Sequence, residues 1–462
     1  MTNRRRFIAA FGTLAVGTLA GCPADNEDID TDTPTDTPTD TDFPTDTDFP
    51  TDTDFPTDTD TPPRNQTARL IASDGDTTDH FGRSVAMSED ESTALVGTVR
   101  DELPNGDEAG SAYVFSRSGG TWSEEAKLTA SDRDTRDRFG DPLAVSGDGS
   151  TALVTAPLDD NPNGEDAGAA YVFSRSGGTW SEEAKLTASD GDSGDGFGAS
   201  VAVSGDGSTA LLGASDEDPN GDARGAAYVL SRSGGAWSEE AKLTFESDSD
   251  GGFIPLVALS ADGSTALFGA SIDDNPNGEA AGSGYVFSRA DGAWSEEAKL
   301  TASDGDGFDR FGCSVAVSRD GSTTLLGAYK DHNPSGENAG SAYVFSRSEG
   351  TWSEEAKLTA SDGGFDELFG SSVAVSGGGS IALIRTPRDY TPNGDRDGSV
   401  YVFSRADGTW SEEGKLRASD GDTFFASGQS VAVAGDGSTA LVGAPLEDNT
   451  NGIGAGSAYV FE

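Results

Sequence analysis

Apolar positions come in short bursts along this chain and never hold the spacing of a helix. One stretch runs "SVAVS" (200–204), a Gly-Asp-Gly turn, "TALLGA" (209–214), the polar loop "SDEDPNGDARG", "AAYVLSR" (226–232), Ser-Gly-Gly, and "AWSEEAKLT" (236–244). Alternation, frequent β-branched residues and glycine punctuation predict four short strands. Gly-Asp-Gly and Ser-Gly-Gly are the tight hairpin connections, because glycine takes positive φ without a steric penalty.

This unit recurs. Phe-Gly marks it at Phe81, Phe139, Phe197, Phe311 and Phe369, with degenerate copies at Phe253-Ile254 and Ser427-Gly428, and the steps are 58 residues apart from one of 56. Seven equal β-rich units predict one all-β architecture of four-stranded blades, since a single unit cannot bury its faces alone. The two ends are out of phase. "TARLIASDGD" (67–76) matches the fourth strand and exit of an ordinary unit, "EAKLTASDGD", while the chain stops at "SAYVFE" after a third strand. A last blade closed by the N-terminal strand, in a seven-bladed propeller over 67–462, accounts for both. Ring closure removes the exposed edges that a β-solenoid, the rival architecture, would have to cap.

"FGASVAVSGDGSTALLGAS", "FGCSVAVSRDGSTTLLGAY" and "SVAVAGDGSTALVGAP" resemble the FG-GAP repeat of integrin-α-type propellers. That resemblance implies a propeller and a non-catalytic binding or adhesion module for a protein or glycan. The calcium loop of that family, between its first two strands, is absent, since only Gly205-Asp206-Gly207 and its equivalents stand there. A different loop carries alternating oxygens before a glycine: Asp159-x-Asn161-x-Asn163, Asp216-x-Asp218-x-Asn220 and Asp273-x-Asn275-x-Asn277. Such spacing can wrap a hard cation, so calcium is the candidate cofactor. The competing reading is an Asx-Pro-Asn-Gly turn, because no glutamate follows at the twelfth position.

Charge narrows the partners. Acidic residues number 81 against 30 basic ones, a formal net charge of −51. A phosphate backbone needs clustered Lys and Arg, so nucleic acid is excluded, and a carboxylate-coated surface suits a salt-adapted prokaryote, of archaeal type. At the N-terminus Asn3-Arg4-Arg5-Arg6-Phe7-Ile8 resembles a twin-arginine signal and Leu19-Ala20-Gly21-Cys22 a lipobox, so residues 1–22 read as an export signal ending at the lipidated Cys22. The apolar stretch between them is short for a membrane span. The resemblance implies anchoring on the outer face of the cytoplasmic membrane. Residues 23–66, rich in Thr, Asp and Pro, lack the apolar content for a core and predict a disordered stalk. Asn65-Gln66-Thr67 is an N-glycosylation sequon at its end. The only other cysteine is Cys313, and a bond between the two would consume the lipobox residue, so stability is expected from packing in a monomer.

Six Trp residues, from Trp122 to Trp410, start the fourth strands, each preceded by an Arg such as Arg117 that ends the third. An Arg-over-Trp contact or an Arg-to-Glu pair across the hairpin is predicted, depending on register. "SRADGTWSEE" resembles the Asp-box turn of sialidases, one residue short. A propeller enzyme, a glycan hydrolase or lyase, would need a unique acid/base pair or arginine cluster on one rim, and none is evident in the sequence. His80 and His332 stand in different units, and a passive envelope component is the third alternative. Departures from the repeat are the places to seek a site: Phe253-Ile254-Pro255, and Arg385, Arg388 and Tyr390.

Overall fold

A computed structural model describes residues 64–102, 108–215, 225–244, 256–389, 398–416 and 430–462. The signal with Cys22, the stalk up to residue 63, the loop with Asp216, Asp218 and Asn220, Phe253-Ile254-Pro255, Tyr390 and Ser427-Gly428 lie outside the described residues.

Every regular element among the described residues is a strand, and the strands form seven antiparallel four-stranded sheets. Blade three shows the plan: Ser200–Val203, Thr209–Ala214, Ala226–Ser233 and Ala236–Leu243, innermost to outermost. Innermost strands touch their neighbours all the way round, including blade seven (Val431–Val433) against blade one (Val85–Met87), so the ring is closed. The closure uses both chain ends as expected. Gln66–Leu70 supplies the outermost strand of blade seven, pairing Arg69 with Tyr459 and Leu70 with Ala458 of Ser457–Phe461.

What docks one blade on the next is the Phe-Gly pair. The amide of Phe139 donates to the carbonyl of Ala109 in blade one at 3.1 Å, and Phe197, Phe311, Phe369 and Phe81 repeat the bond to Ala167, Ala281, Ala339 and Ala455. Each Phe ring is buried, and four of the five meet the Tyr and Phe of their own third strand edge-on, as Phe81 meets Tyr113 and Phe115. Burying such a ring contributes about 1.5–3 kcal/mol. The glycine that follows lies against the neighbour's backbone: a Cβ on Gly140, at φ +101°, would stand 2.4 Å from the Ser111 carbonyl oxygen. Only glycine tolerates both the angle and the approach.

The recurring "WSEEAKL" is a set of staples between blades. A bulge in each complete outer hairpin, between Val114 and Phe115 in blade one, pairs Phe115 with Glu124 and leaves Glu125 out of register. Glu125 then reaches Arg175 of blade two at 2.9 Å, and Glu183, Glu240, Glu297 and Glu355 reach Arg232, Arg289, Arg347 and Arg405 in the same way. The register sets each Arg opposite its Trp, as Arg175 opposite Trp180, so from blade two to blade six the arginine's acid lies on the preceding blade and not across the hairpin, while Arg117 pairs with Glu91 of its own blade and with Glu462. The first Glu accepts from the loop that enters its own blade: Ser73 N and Oγ donate to Glu124 at 2.9 and 2.7 Å.

Deleting residues 1–70 removes the strand that closes blade seven and exposes the edge of Ser457–Phe461. The expected outcome is a melting temperature lower by at least 10 °C, with association by size-exclusion chromatography through the open edge; an unchanged monomeric melt would show that closure from the N-terminus contributes nothing.

Candidate functional site

The strands run so that two kinds of loop share one face of the ring, those from fourth to first strand and those from second to third. Hydrogen bonds join them, as when Arg136 N donates to Glu108 O at 2.8 Å. The two described candidate loops, those of Asp159 and Asp273, lie on this loop face.

The Asx loops are held from inside. Asp159 is buried, accepts from Tyr171 Oη at 2.6 Å and pairs with Lys185 Nζ at 2.8 Å. Asn161 Oδ1 accepts from Asn163 N, Asn161 Nδ2 donates to Gly168 O, and Asn163 Nδ2 donates to Ala188 O. Asp273 repeats the tie with Lys299 and Tyr285, and Asn275 and Asn277 repeat the turn. The same lysine holds the entering loop, as Lys185 holds Asp132 at 2.7 Å, and stacks over the tyrosine ring 5.2 Å away. Blade seven keeps the arrangement with both partners changed, Arg69 for the lysine and Glu447 for the aspartate, beside Tyr459. An ammonium and a phenol thus occupy the carboxylate a calcium ion would need first, and the two asparagines are engaged with backbone, so these side chains do not fit a calcium site as they stand. Among the described residues no group of three or more His, Cys, Asp or Glu is placed to hold a metal ion. The other candidate, Asn65, is exposed, and its backbone pairs with Glu462 at the outer edge of blade seven.

Beneath the entering loops runs a ring of buried carboxyls. Burial pushes Asp79, Asp137 and Asp309 up to about 6 and Glu367 up to about 7, with Asp101, Asp159, Asp331 and Asp389 respectively adding like charge, while a backbone amide donated to each works the other way. Lysine partners hold Asp74, Asp132, Asp190, Asp304 and Asp362 below the ordinary carboxylate range despite the opposing effect of burial.

The channel through the ring has two unlike ends. Its hairpin end is apolar, lined by adjacent inner-strand residues from Ala86 and Met87 in blade one round to Ala432 and Val433 in blade seven. At the loop end stand the residues that follow each Phe-Gly, and these depart from the repeat: Arg83, Asp141, Ala199, Cys313 and Ser371. Arg83 Nε lies 3.1 Å from Asp141 Oδ2, and Arg138 Nη2 lies 3.0 Å from the same oxygen. Arg385 fills a second-strand position where five other blades carry glycine and blade two Thr155, and its Nη1 donates to Ser371 Oγ at 3.1 Å. Burial, with the charge of Arg83, brings Arg385 down to about 9, and burial with Arg100 and Arg83 brings His80 down to about 4. The residue before Phe-Gly adopts left-handed backbone in His80, Arg138, Arg310 and Leu368 (φ 58–63°), where blade three has Gly196. The arginine cluster not evident in the sequence is therefore present in the structure. Its members come from blades one, two and six, and only ring closure brings them together; Arg385 as a departure from the repeat was the one signal that pointed there.

An all-β ring of seven blades with a loop face and a polar channel mouth defines the β-propeller class. The FG-GAP repeat matches residues 65–115, 122–173, 180–230, 294–345, 352–403 and 410–461, and the chain belongs to this family. The unmatched stretch contains the unit in which Phe253-Ile254 replaces Phe-Gly. No curated protein matches the chain. Among solved structures, hydrazine synthase of Kuenenia stuttgartiensis is similar at 14% identity and a TM-score of 0.49, covering 82% of this chain and 95% of that one, a likeness too distant to inform function.

Two outcomes follow for stability. Raised carboxyls favour folding below the unfolded value near 4 and lose that contribution as pH rises through 6 to 7, whereas the lysine-held carboxylates favour folding above 3.8 and lose it as pH falls below. Melting temperature should therefore peak between pH 4 and 6 and fall toward pH 8, and Asp79→Asn, Asp137→Asn, Asp309→Asn and Glu367→Gln combined should flatten the neutral limb. Lys185→Met should cost about 1–3 kcal/mol, discounted because the lysine is 24% exposed. Millimolar calcium should raise the melting temperature of that variant and leave the wild type unmoved; a calcium-stabilised wild type would restore the Asx loops as metal sites.

Proposed function

We propose that the chain is an exported propeller, held on the outer face of the membrane by lipid on Cys22 and spaced from it by residues 23–66, that binds a surface protein or glycan without catalysis. The observation that carries the reading is asymmetry between faces. Repeated polar residues are engaged in joining blades, while the departures gather on the loop face. The large apolar side chains most exposed among the described residues, Phe308, Phe365, Leu446 and Ile453, also lie in those loops, in blades five to seven. The hairpin face carries none of these. A large apolar side chain left in water is a contact element for a partner when several share one surface. A net charge of −51 keeps the module dispersed in strong salt, where screening leaves short-range apolar contacts to select the partner.

Anchoring is tested by Cys22→Ala in the native host. The wild-type chain should sediment with membranes, and the variant should appear folded in the medium; retention of Cys22→Ala on the membrane would overturn lipid anchoring. For the binding surface, replacing Phe308 and Phe365 by Ser should abolish retention of the chain's partner on intact cells while leaving the melting temperature within about 1 °C, since both are exposed.

A further inference from the structure

We propose that the hairpin-face mouth of the channel is a binding site for an aromatic side chain of the chain's own N-terminal segment, Phe55 of its Phe-Pro repeat. The inference is independent of the reading of the loop face and assigns an occupant to the opposite end of the ring.

The first observation is an apolar cavity that reaches solvent. It measures about 170 Å³ and is lined from all seven blades, with Leu259 and five valines among its walls. Those valines, Val145, Val203, Val317, Val375 and Val433, are only half-buried. An apolar cavity of about 150 Å³ is enough to hold a benzene molecule, so the volume suits one phenyl ring. Backbone bonds fix the rim: Gly205 N donates to Ala261 O at 2.8 Å, and Ala261 N to Arg319 O and Arg319 N to Gly377 O at 3.0 Å. A rim held in this way loses little freedom when a side chain enters. The innermost strands are sheet edges, paired on one side only. A peptide can offer backbone donors and acceptors to such edges, and an acyl chain cannot.

The second observation is where the chain joins the ring. Arg64 is buried on the hairpin face, and its guanidinium donates to the carbonyl of Gly437, in the turn between the first two strands of blade seven. Glu413, Asp436 and Glu91 lie within electrostatic reach of it. The N-terminal segment therefore meets the ring on the face that carries the cavity. Phe55 stands nine residues before Arg64, and at about 3.1 Å per residue a proline-rich segment of that length covers about 28 Å. A blade is four strands wide, which at a spacing of about 4.8 Å is about 14 Å from outermost to innermost strand. Phe55 reaches the cavity with chain to spare.

The third observation is composition. Residues 30–63 are Thr, Asp and Pro except for Phe43, Phe49 and Phe55, which are six residues apart and each followed by proline. A spacer kept in solution needs no large apolar side chains, whereas a segment that seats one does, and the proline beside it lowers the entropy lost on seating. Charge opposes the contact. Asp206 of the Gly-Asp-Gly turn has counterparts in blades one, two, four, five and seven, and Phe55 follows Asp54. In about 1 M salt that repulsion is screened beyond about 3 Å, so seating strengthens as salt rises.

The test places 4-fluorophenylalanine at position 55 of the full chain, held in lipid nanodiscs so that no detergent competes for the mouth. Its fluorine resonance is expected away from that of a synthetic peptide of residues 40–63, with the displaced fraction rising about twofold between about 0.1 and about 1 M sodium chloride. Val203→Asp should return the resonance to the peptide's position. A second measurement decides the matter if Val203→Asp does not fold. Phe43→Ser, Phe49→Ser and Phe55→Ser combined lie outside the ring and leave its packing intact; benzene should raise the melting temperature of that variant and leave the wild type unmoved, because only the variant has a vacant cavity. A resonance coincident with the peptide's at every salt concentration, a displacement that survives Val203→Asp, or benzene raising both melts alike would overturn the proposal. So would a displacement lost on dilution, which would mean that the mouth captures the segment of a second copy.

Discussion

One backbone hydrogen bond, from the Phe-Gly amide to an alanine carbonyl of the preceding blade, docks each of five described blades on its neighbour and sets their spacing and tilt. It forms only because the next residue has no Cβ, so two chains approach where a side chain would stand 2.2–3.0 Å from a carbonyl oxygen. A ring tolerates no accumulated error. Whatever angle one blade makes with the next is repeated until the last blade meets the first, and here the meeting is sealed by the two chain ends lying side by side in one sheet.

Around that docking bond the polar repeat forms a second system. Lys127, Lys185, Lys357 and Lys415 each draw together two carboxylates from two connecting loops beside a strand tyrosine, and five bulged glutamates cross to the next blade's arginine. An isolated pair of this kind contributes about 0.2–1 kcal/mol, and screening by salt reduces it further. Their buried partners, Asp159 and its equivalents, are less accessible to screening, which suits a chain that carries so few cations and uses most of them where carboxylates would otherwise repel. The carboxyls with no cation, such as Asp79 and Glu367, hold their protons toward neutral pH instead. Burial beside like charge leaves a carboxyl those two outcomes only.

Symmetry separates scaffold from site. A residue repeated in six blades, such as Trp122 or Lys127, belongs to the scaffold. Arg83, Asp141 and Arg385 occupy equivalent or adjoining ring positions that other described blades fill with alanine, cysteine, serine, threonine or glycine, and Arg83 meets Asp141 of the next blade while Arg385 meets Ser371 of its own. The loop face gathers such departures because its connections are long enough to vary without disturbing the sheets.

The sequence by itself determined the strands, their number per blade and the ring. Alternation fixes which face of "SVAVS" or "AAYVF" is buried, glycine pairs fix the hairpins, and the phase shift between "TARL" and "SAYVFE" leaves one place for the N-terminal strand. It also marked Asp159, Asn161 and Asn163 as one oxygen-rich loop. Only the tertiary structure decided what those oxygens do, because Lys185 lies 26 residues from Asp159 and its second carboxylate, Asp132, comes from the loop before the blade. It likewise decided that Arg175 meets Glu125 and not a glutamate of its own hairpin, since the bulge that turns Glu125 outward alters the register by one residue. Local periodicity encodes which face a side chain takes; which partner it meets across a blade boundary depends on closing a ring through contacts hundreds of residues apart, and no window of the sequence contains them.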